Sequence, residues 1–404
     1  MANETTIATP VTQSTRTPTV TETRFVNAER LSSRHWLAVT LLVAIILLGT
    51  PWLWKKVERF DTGPDYRIPY SLSKDYWLYE SRLQKVSSTD IVVIGDSVIW
   101  GEYVRRDGTL PHFLNEVLPD GRRAERGRFV NAGVNGLFPL ALEGLIRNYG
   151  KPLHRRRVML HCNALWMSSP KADLQSEKEE RFNHADLVPQ FSPRIPCYKA
   201  DLNHRLAAIV ERHFTFAQWA NHLQMAYFGQ KNVLAWTLEE DDSSPPRFPN
   251  AWKNPFRQIT LAVPAEPAPD PERGQASPRH KAWSSTGQGS TRFDWVELER
   301  SLQWAGFQRL VRVLQSRDNE VFVVVGPFNE HIMAEENRPA FRRLRDGIAD
   351  WLTKNQIAHV VPETLPSGLY ADASHPLTEG YRMLAESLGR DAVFQRWMER
   401  GSSK

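Results

Sequence analysis

Ile91-Val92-Val93-Ile94-Gly95-Asp96-Ser97 runs four apolar residues into a glycine, an aspartate and a serine. A short continuous apolar run bounded by a turn signal reads as a strand buried on both faces, the kind that builds parallel sheets. Its end sets a serine on a sharp strand-to-helix turn, where the hydroxyl is exposed and a backbone N–H can face a developing oxyanion. Far downstream stands Asp372-Ala373-Ser374-His375, in which a histidine oriented by a carboxylate can take the serine proton. Together they point to serine-based acyl chemistry. Singly they decide nothing: Gly-Asp-Ser occurs in many loops, and Asp-x-x-His also serves as a helix N-cap, a metal ligand pair or a surface turn.

Two further apolar runs ending in small or amide residues lie between these blocks, Phe129-Val130-Asn131-Ala132-Gly133-Val134-Asn135-Gly136 and Val158-Met159-Leu160-His161-Cys162-Asn163. With four blocks in this order, the chain resembles the SGNH hydrolase superfamily, the GDSL-type esterases and acyltransferases, over residues 86–170 and 318–398. The resemblance implies Ser97 as nucleophile, His375 with Asp372 as base and orienter, and an oxyanion hole of Ser97, Gly136 and Asn163. Family members often carry Gly-x-Asn-Asp at the third block, where this chain reads His161-Cys162-Asn163-Ala164. The first block has Ser97-Val98 where Ser-Leu is common. The implied fold is α/β, a three-layer α/β/α flavodoxin-like arrangement whose five-stranded parallel sheet runs in the order 2-1-3-4-5. The implied chemistry needs no cofactor and no metal.

With 404 residues, 41% of them hydrophobic, and 14 Trp, the chain can bury a full core in one large domain or two. A net charge of +5 is mildly basic, and no nucleic-acid-binding motif accompanies the clusters at Arg122–Arg128 and Arg155-Arg156-Arg157. The Arg triplet reads first as a solvated lead-in to the next strand, second as a contact for anionic lipid or polymer. Cys162 and Cys197 are the only cysteines, too few for a disulfide framework or a cysteine zinc site, though one bridge between them stays open. Cys162 reads as a small core thiol.

From Trp36 to Trp54 the sequence carries no charge, and Arg34-His35 and Lys55-Lys56 flank it. That length suits a helix crossing a hydrocarbon core of about 30 Å, with tryptophans at both interfaces. A cleaved signal peptide and a buried core helix are the competing readings. The expected organisation is therefore a disordered tail over 1–34, a signal anchor over 35–54 and a juxtamembrane segment over 55–85. Positive charges balance across the span, so charge does not set its orientation. A short tail before the anchor and a folded domain behind it favour a single-pass protein of the cell membrane with an extracytoplasmic catalytic domain.

Strands are expected at 91–95, 128–132, 157–161, 321–326 and 357–361, and helices at 108–118, 138–149, 293–317, 337–353 and 377–397. Strand–helix alternation means a parallel sheet covered on both faces, with ligands beyond the carboxyl ends of the strands. The first half of this domain spans 86–170 and the second 293–398. The insertion between them, 171–292, is helical from Leu202 to Phe228, while Pro264–Pro278 and Ser284–Thr291 read as flexible linker. It either roofs the active site or packs at the periphery. Asn329 and His331, after the fourth strand, are second-tier substrate-binding candidates beside the reading of an ordinary polar loop. Trp166, next to the oxyanion asparagine, is a third, with a packing role as its alternative.

The expected function is a membrane-anchored acyl-transfer enzyme, an O-acetyltransferase or esterase on cell-surface glycan. Its expected partner, by analogy with anchored relatives, is a membrane-bound O-acyltransferase that supplies acyl groups. A lipid or small-ester esterase is the nearest alternative, and a non-catalytic assembly or binding protein on the same fold is the alternative from another class.

Overall fold

A computed structural model describes residues 32–117, 127–239, 253–264 and 280–400. The expected tail up to residue 31, most of Arg122–Arg128 and nearly all of Pro264–Pro278 lie outside the described residues. The chain divides into two compact units, 1–49 and 50–404. Helix α1 (Ser33–Val57) spans the boundary between them. Its 25 residues make it about 37 Å long at 1.5 Å per residue, and it is apolar enough to cross a membrane. Leu37, Leu41, Ile45 and Leu48 on it are exposed, as lipid-facing side chains are and core-helix side chains are not.

The second unit follows in chain order. Helix α2 (Tyr76–Lys85) precedes β1 (Ile91–Gly95), the short α3 (Ser97–Trp100) and α4 (Leu110–Val117). Then come β2 (Phe129–Gly133), α5 (Pro139–Tyr149) and β3 (Arg157–Cys162). Four helices, α6 (Leu202–His213), α7 (Thr215–Tyr227), α8 (Val233–Leu238) and α9 (Pro255–Gln258), occupy the insertion. The chain returns through α10 (Leu302–Gln315), β4 (Glu320–Val325), α11 (Arg338–Lys354), β5 (Ala358–Val360), α12 (Thr378–Arg390) and α13 (Ala392–Arg400).

All five strands pair in parallel in the order β2-β1-β3-β4-β5. Alternation of side chains along each strand sends Val92, Ile94, Leu160 and Val323 into one core under α2, α5, α10 and α11. It sends Ile91, Val93, Met159 and Phe322 into a second core under α4, α12 and α13. Two-sided burial is why these strands read as unbroken apolar runs, each fully buried Val, Ile or Phe contributing roughly 1.5–3 kcal/mol. The strand order reverses between β1 and β3, which opens a crevice beyond their carboxyl ends.

Several boundaries differ from expectation, for local reasons. The stretch 293–317 is not one helix: Asp294 N–H donates to the Ser168 carbonyl and Val296 N–H to that of Met167, both at 2.9 Å. Only after Ser301, whose hydroxyl accepts from Trp304 N–H at 3.0 Å, does α10 begin. The expected helix over 377–397 breaks at Asp391, which caps α13 by accepting from the N–H groups of Val393 and Phe394. Residues 55–85 are more than a connector, because α2 buries Tyr76, Trp77, Leu78, Tyr79 and Leu83 and packs beside α5. The stretch Ser284–Thr291, read as linker, is tied down at both ends: Trp283 N–H, just before it, donates to the Tyr370 carbonyl at 2.8 Å, and Thr291 N–H donates to that of Ile332. Cys162 and Cys197 are both buried free thiols, so the bridge left open in the sequence is not formed.

The first part of the insertion belongs to the main core. Leu174, Leu187, Val188, Ile195, Cys197 and Tyr198 are buried in the same cluster as α5 and β3. From the helices α6–α9, Met225 packs against that core, while Leu223, Ala226, Tyr227 and Phe228 form a small separate cluster with Trp54, Trp219 and Trp236 packed against it.

Candidate active site

The turn after β1 is set by contacts that leave no room for other residues. A Cβ on Gly95 would meet Ile99 Cγ1 at 2.4 Å and His161 Cβ at 2.9 Å. Asp96 caps α3, accepting from Val98 N–H at 3.1 Å, and places Ser97 as the first helical residue, whose N–H has no intrahelical acceptor. The far end of α3 is clamped, with the Arg67 guanidinium 4.1 Å above the Trp100 ring and donating to the Gly101 carbonyl at 2.7 Å. Tyr381 OH from α12 donates to the Val98 carbonyl at 2.7 Å.

Ser97 Oγ lies 2.8 Å from His375 Nε2. The other ring nitrogen, Nδ1, meets both Asp372 oxygens at 2.8 and 2.9 Å. Asp372 is itself held, since its Oδ1 accepts from the N–H groups of Ser374 and His375 at 2.9 Å. Three residues from two ends of the chain thus form one relay, with Ser97 6% and His375 7% exposed. Burial lowers the His375 pKa, but the charge and hydrogen bond of Asp372, aided by Glu102, outweigh it and raise the pKa to about 9. Burial raises that of Asp372, and the charge and hydrogen bonds of His375 bring it below the usual value.

Asp96 organises the other side of the crevice. Its Oδ2 accepts from Asn163 Nδ2 and Trp166 Nε1, each at 2.8 Å, and its Oδ1 lies 3.1 Å from His161 Nδ1. Burial alone would raise its pKa, but the His161 charge and the hydrogen bonds from His161, Trp166 and Asn163 hold the carboxyl well below the usual range. Asn163 Oδ1 accepts from Leu165 N–H at 3.0 Å. The amide orientation is therefore fixed, and one of its two N–H donors is left over from Asp96. Gly136, beyond β2, has φ +75°, and a Cβ there would stand 2.7 Å from Asn183 Nδ2. The insertion touches the expected oxyanion loop at that point.

Gly136 and Trp166 border a cavity of about 800 Å3, shared with Phe138, Phe182, Asn183 and Tyr198. The segment 171–204 supplies most of its wall. Tyr103 meets the His375 ring edge-on at 5.3 Å and stacks on His280 at 4.3 Å. The insertion thus reaches the site through Asn183, next to Gly136, and through His280, stacked on Tyr103.

Of the second-tier candidates, Trp166 lines the cavity. Asn329 is fully buried, donating from Nδ2 to the Asp372 carbonyl at 3.1 Å and from its backbone to Ala373, so it braces the loop that carries the relay. His331 is bonded to the Leu365 carbonyl at 3.0 Å. Sequence reading passed over Asp96, Glu102, Tyr103 and His280. Asp96 had a signal: His161 and Asn163, two apart on a strand and its continuation, face the same way. The others sit on loops without periodicity. Among the described residues no group of three or more His, Cys, Asp or Glu is arranged to hold a metal ion. No protein-family model matches this chain, and no curated protein sequence matches it.

Proposed function

We propose that this protein is a membrane-anchored serine acyl-transfer enzyme of the SGNH type, acting on O-acyl groups of cell-surface glycans from an extracytoplasmic position. The observation that carries the reading is the continuous relay from Ser97 Oγ through the His375 ring to Asp372. In the reaction, Ser97 Oγ attacks the ester carbonyl while its proton passes to His375 Nε2. The negative oxygen that forms would be held by the N–H groups of Ser97 and Gly136 and the free amide hydrogen of Asn163. The tetrahedral species collapses to acyl-Ser97, and the departing alkoxide takes the proton from Nε2. A sugar hydroxyl or water then gives its proton to Nε2 and attacks the acyl carbon, and Ser97 Oγ leaves with that proton.

A glycan rather than a long-chain lipid ester is favoured by the cavity beside Gly136. Its lining combines the aromatic cluster Phe138, Trp166, Phe182 and Tyr198 with the polar Lys74, Asn183 and Glu180, and sugars likewise combine apolar ring faces with hydroxyls. An acyl donor delivered by a membrane-bound O-acyltransferase fits a catalytic domain tethered through α1. The test is intact-mass analysis of the full-length protein in detergent after exposure to p-nitrophenyl acetate, beside Ser97→Ala. An acetyl adduct present only with Ser97 is expected, and its discharge by added oligosaccharide or by water separates transferase from esterase. A chain that neither consumes the ester nor gains mass would favour the binding-protein alternative.

A further inference from the structure

The helices α6–α9 carry an apolar surface that the catalytic reading does not use. On α6, Leu202, Leu206 and Val210 recur every four residues and are 60%, 47% and 53% exposed. Leu234 and Leu238 on α8 and Phe256 on α9 are more exposed still, at 68%, 65% and 84%. A scattered surface leucine needs no explanation, but a stripe at helical spacing on α6, with three more large exposed residues on α8 and α9 of the same insertion, does.

What meets this surface is indicated by what it continues. Trp54, in the last turns of α1, contacts Trp219 of α7 at 5.7 Å and Tyr227 at 6.2 Å. From Trp219 the ring contacts run on to Phe216 at 5.1 Å and to Phe214 at 6.1 Å, the corner at which α6 ends. A second branch passes through Phe228 and Trp236, 5.2 Å apart, into α8. The backbone joins as well, since Arg59 N–H donates to the Leu261 carbonyl and Val263 N–H to that of Arg59. The helical module is therefore fastened to the Trp52-Leu53-Trp54-Lys55-Lys56 end of the apolar helix. Tryptophan and lysine at the end of an apolar span mark the level of the lipid headgroups.

We propose that α6, α8 and α9 rest on the bilayer that α1 enters, with Leu202, Leu206, Val210, Leu234, Leu238 and Phe256 set into the headgroup and upper acyl region as an amphipathic surface does. The inference rests on the anchoring assigned to α1 and adds a second, lateral contact with lipid. That contact fixes the tilt of the catalytic unit, which a single helix alone leaves free to swivel.

The test uses the full-length chain in phosphatidylcholine vesicles containing phosphatidylglycerol. Single cysteines replace Leu206, Leu234 or Phe256, and a control replaces Ser387 on α12, on the opposite side of the sheet. Each is labelled with an environment-sensitive fluorophore; the native Cys162 and Cys197 are buried, and unsubstituted protein measures any label they take up. Spin-labelled lipids are expected to quench positions 206, 234 and 256 several-fold more than 387. Equal quenching at all four, with the chain retained on vesicles after alkaline wash, overturns the lipid contact while leaving the anchor intact. Energy transfer between labelled copies, or protection by a co-reconstituted membrane protein, without lipid quenching, also overturns it in favour of a protein partner. Loss of the chain in the alkaline wash overturns the anchor, and the lateral contact falls with it.

Discussion

Glu102 Oε2 lies 3.5 Å from His375 Nε2, the same nitrogen that meets the Ser97 hydroxyl. The His375 ring therefore sits between two carboxylates, Asp372 at Nδ1 and Glu102 on the side of Nε2. A negative charge there favours the imidazolium, and a protonated ring cannot accept the serine proton. Activity should accordingly rise with pH up to the His375 pKa of about 9. Glu102→Gln removes one source of that elevation, so the acidic limb of kcat/KM for p-nitrophenyl acetate moves to lower pH and turnover at pH 7 increases. A limb that stays in place would show that Glu102 does not act on His375.

Asn163→Ala removes the side-chain donor assigned to the oxyanion. Turnover should fall about 10²–10³-fold with KM little changed. Stopped-flow kinetics of acylation separates this from a fault in deacylation.

Asp96→Asn tests the hub beside the serine. One acceptor oxygen is replaced by a donor facing Asn163 and Trp166 or His161, and the hydrogen bonds to a buried carboxylate charge are lost, each worth about 1.5–3 kcal/mol. Urea unfolding should record the loss, and Trp166→Phe, which removes a single bond to the same carboxylate, should cost far less.

Gly136→Ala puts a side chain at φ +75° and against Asn183. The left-handed conformation alone costs about 1–2 kcal/mol. Adding Asn183→Ala should relieve the crowding but not the backbone strain, so the double variant regains only part of the melting temperature lost.

A second buried charge cluster predicts how the fold responds to alkali. His222 lies between Asp75 Oδ2 at 2.6 Å and Glu58 Oε1 at 2.7 Å. Burial lowers its pKa, but the charge and hydrogen bond of Asp75 and those of Glu58 raise it to about 10. The unfolded value is about 6.5. Stability from this group is complete below pH 6.5 and is lost as pH rises through 10. His222→Gln should therefore destabilise strongly at pH 6.5 and much less at pH 10 by urea unfolding. A gap between the two proteins that does not narrow would exclude a charged His222.

The sheet was legible because β1 to β4 are buried on both faces and carry unbroken apolar runs, and because Ser97, Gly136 and Asn163 each fall just past a strand end. The spacing of Asp372 and His375 was legible for the same reason: it is local. Periodicity misled where capping residues override it, at Ser301 and at Asp391, since a side-chain oxygen that bonds the backbone ends one helix and starts the next whatever the apolar pattern suggests. Helix α2 was passed over because the apolar helix beside it drew Lys55–Lys85 into a connector, although Asp75 caps it and five aromatics fall within 66–70 and 76–79. Glu102 and His280 reach His375 through loops, whose course no periodic pattern encodes.

The residues that shape the cavity have a second allegiance. Leu174 and Tyr198 line it and are also buried in the main core, with Phe182, Ala185 and Ala200 packed against the same cluster. A change of substrate made through this wall therefore draws on the stability of the whole sheet, whereas a change at Tyr103 or His280, which border the relay from loops, does not. If the proposed acyl transfer holds, descendants of such a chain would alter their acceptor preference from the loop side first, and vary the aromatic wall only together with compensating changes in α5.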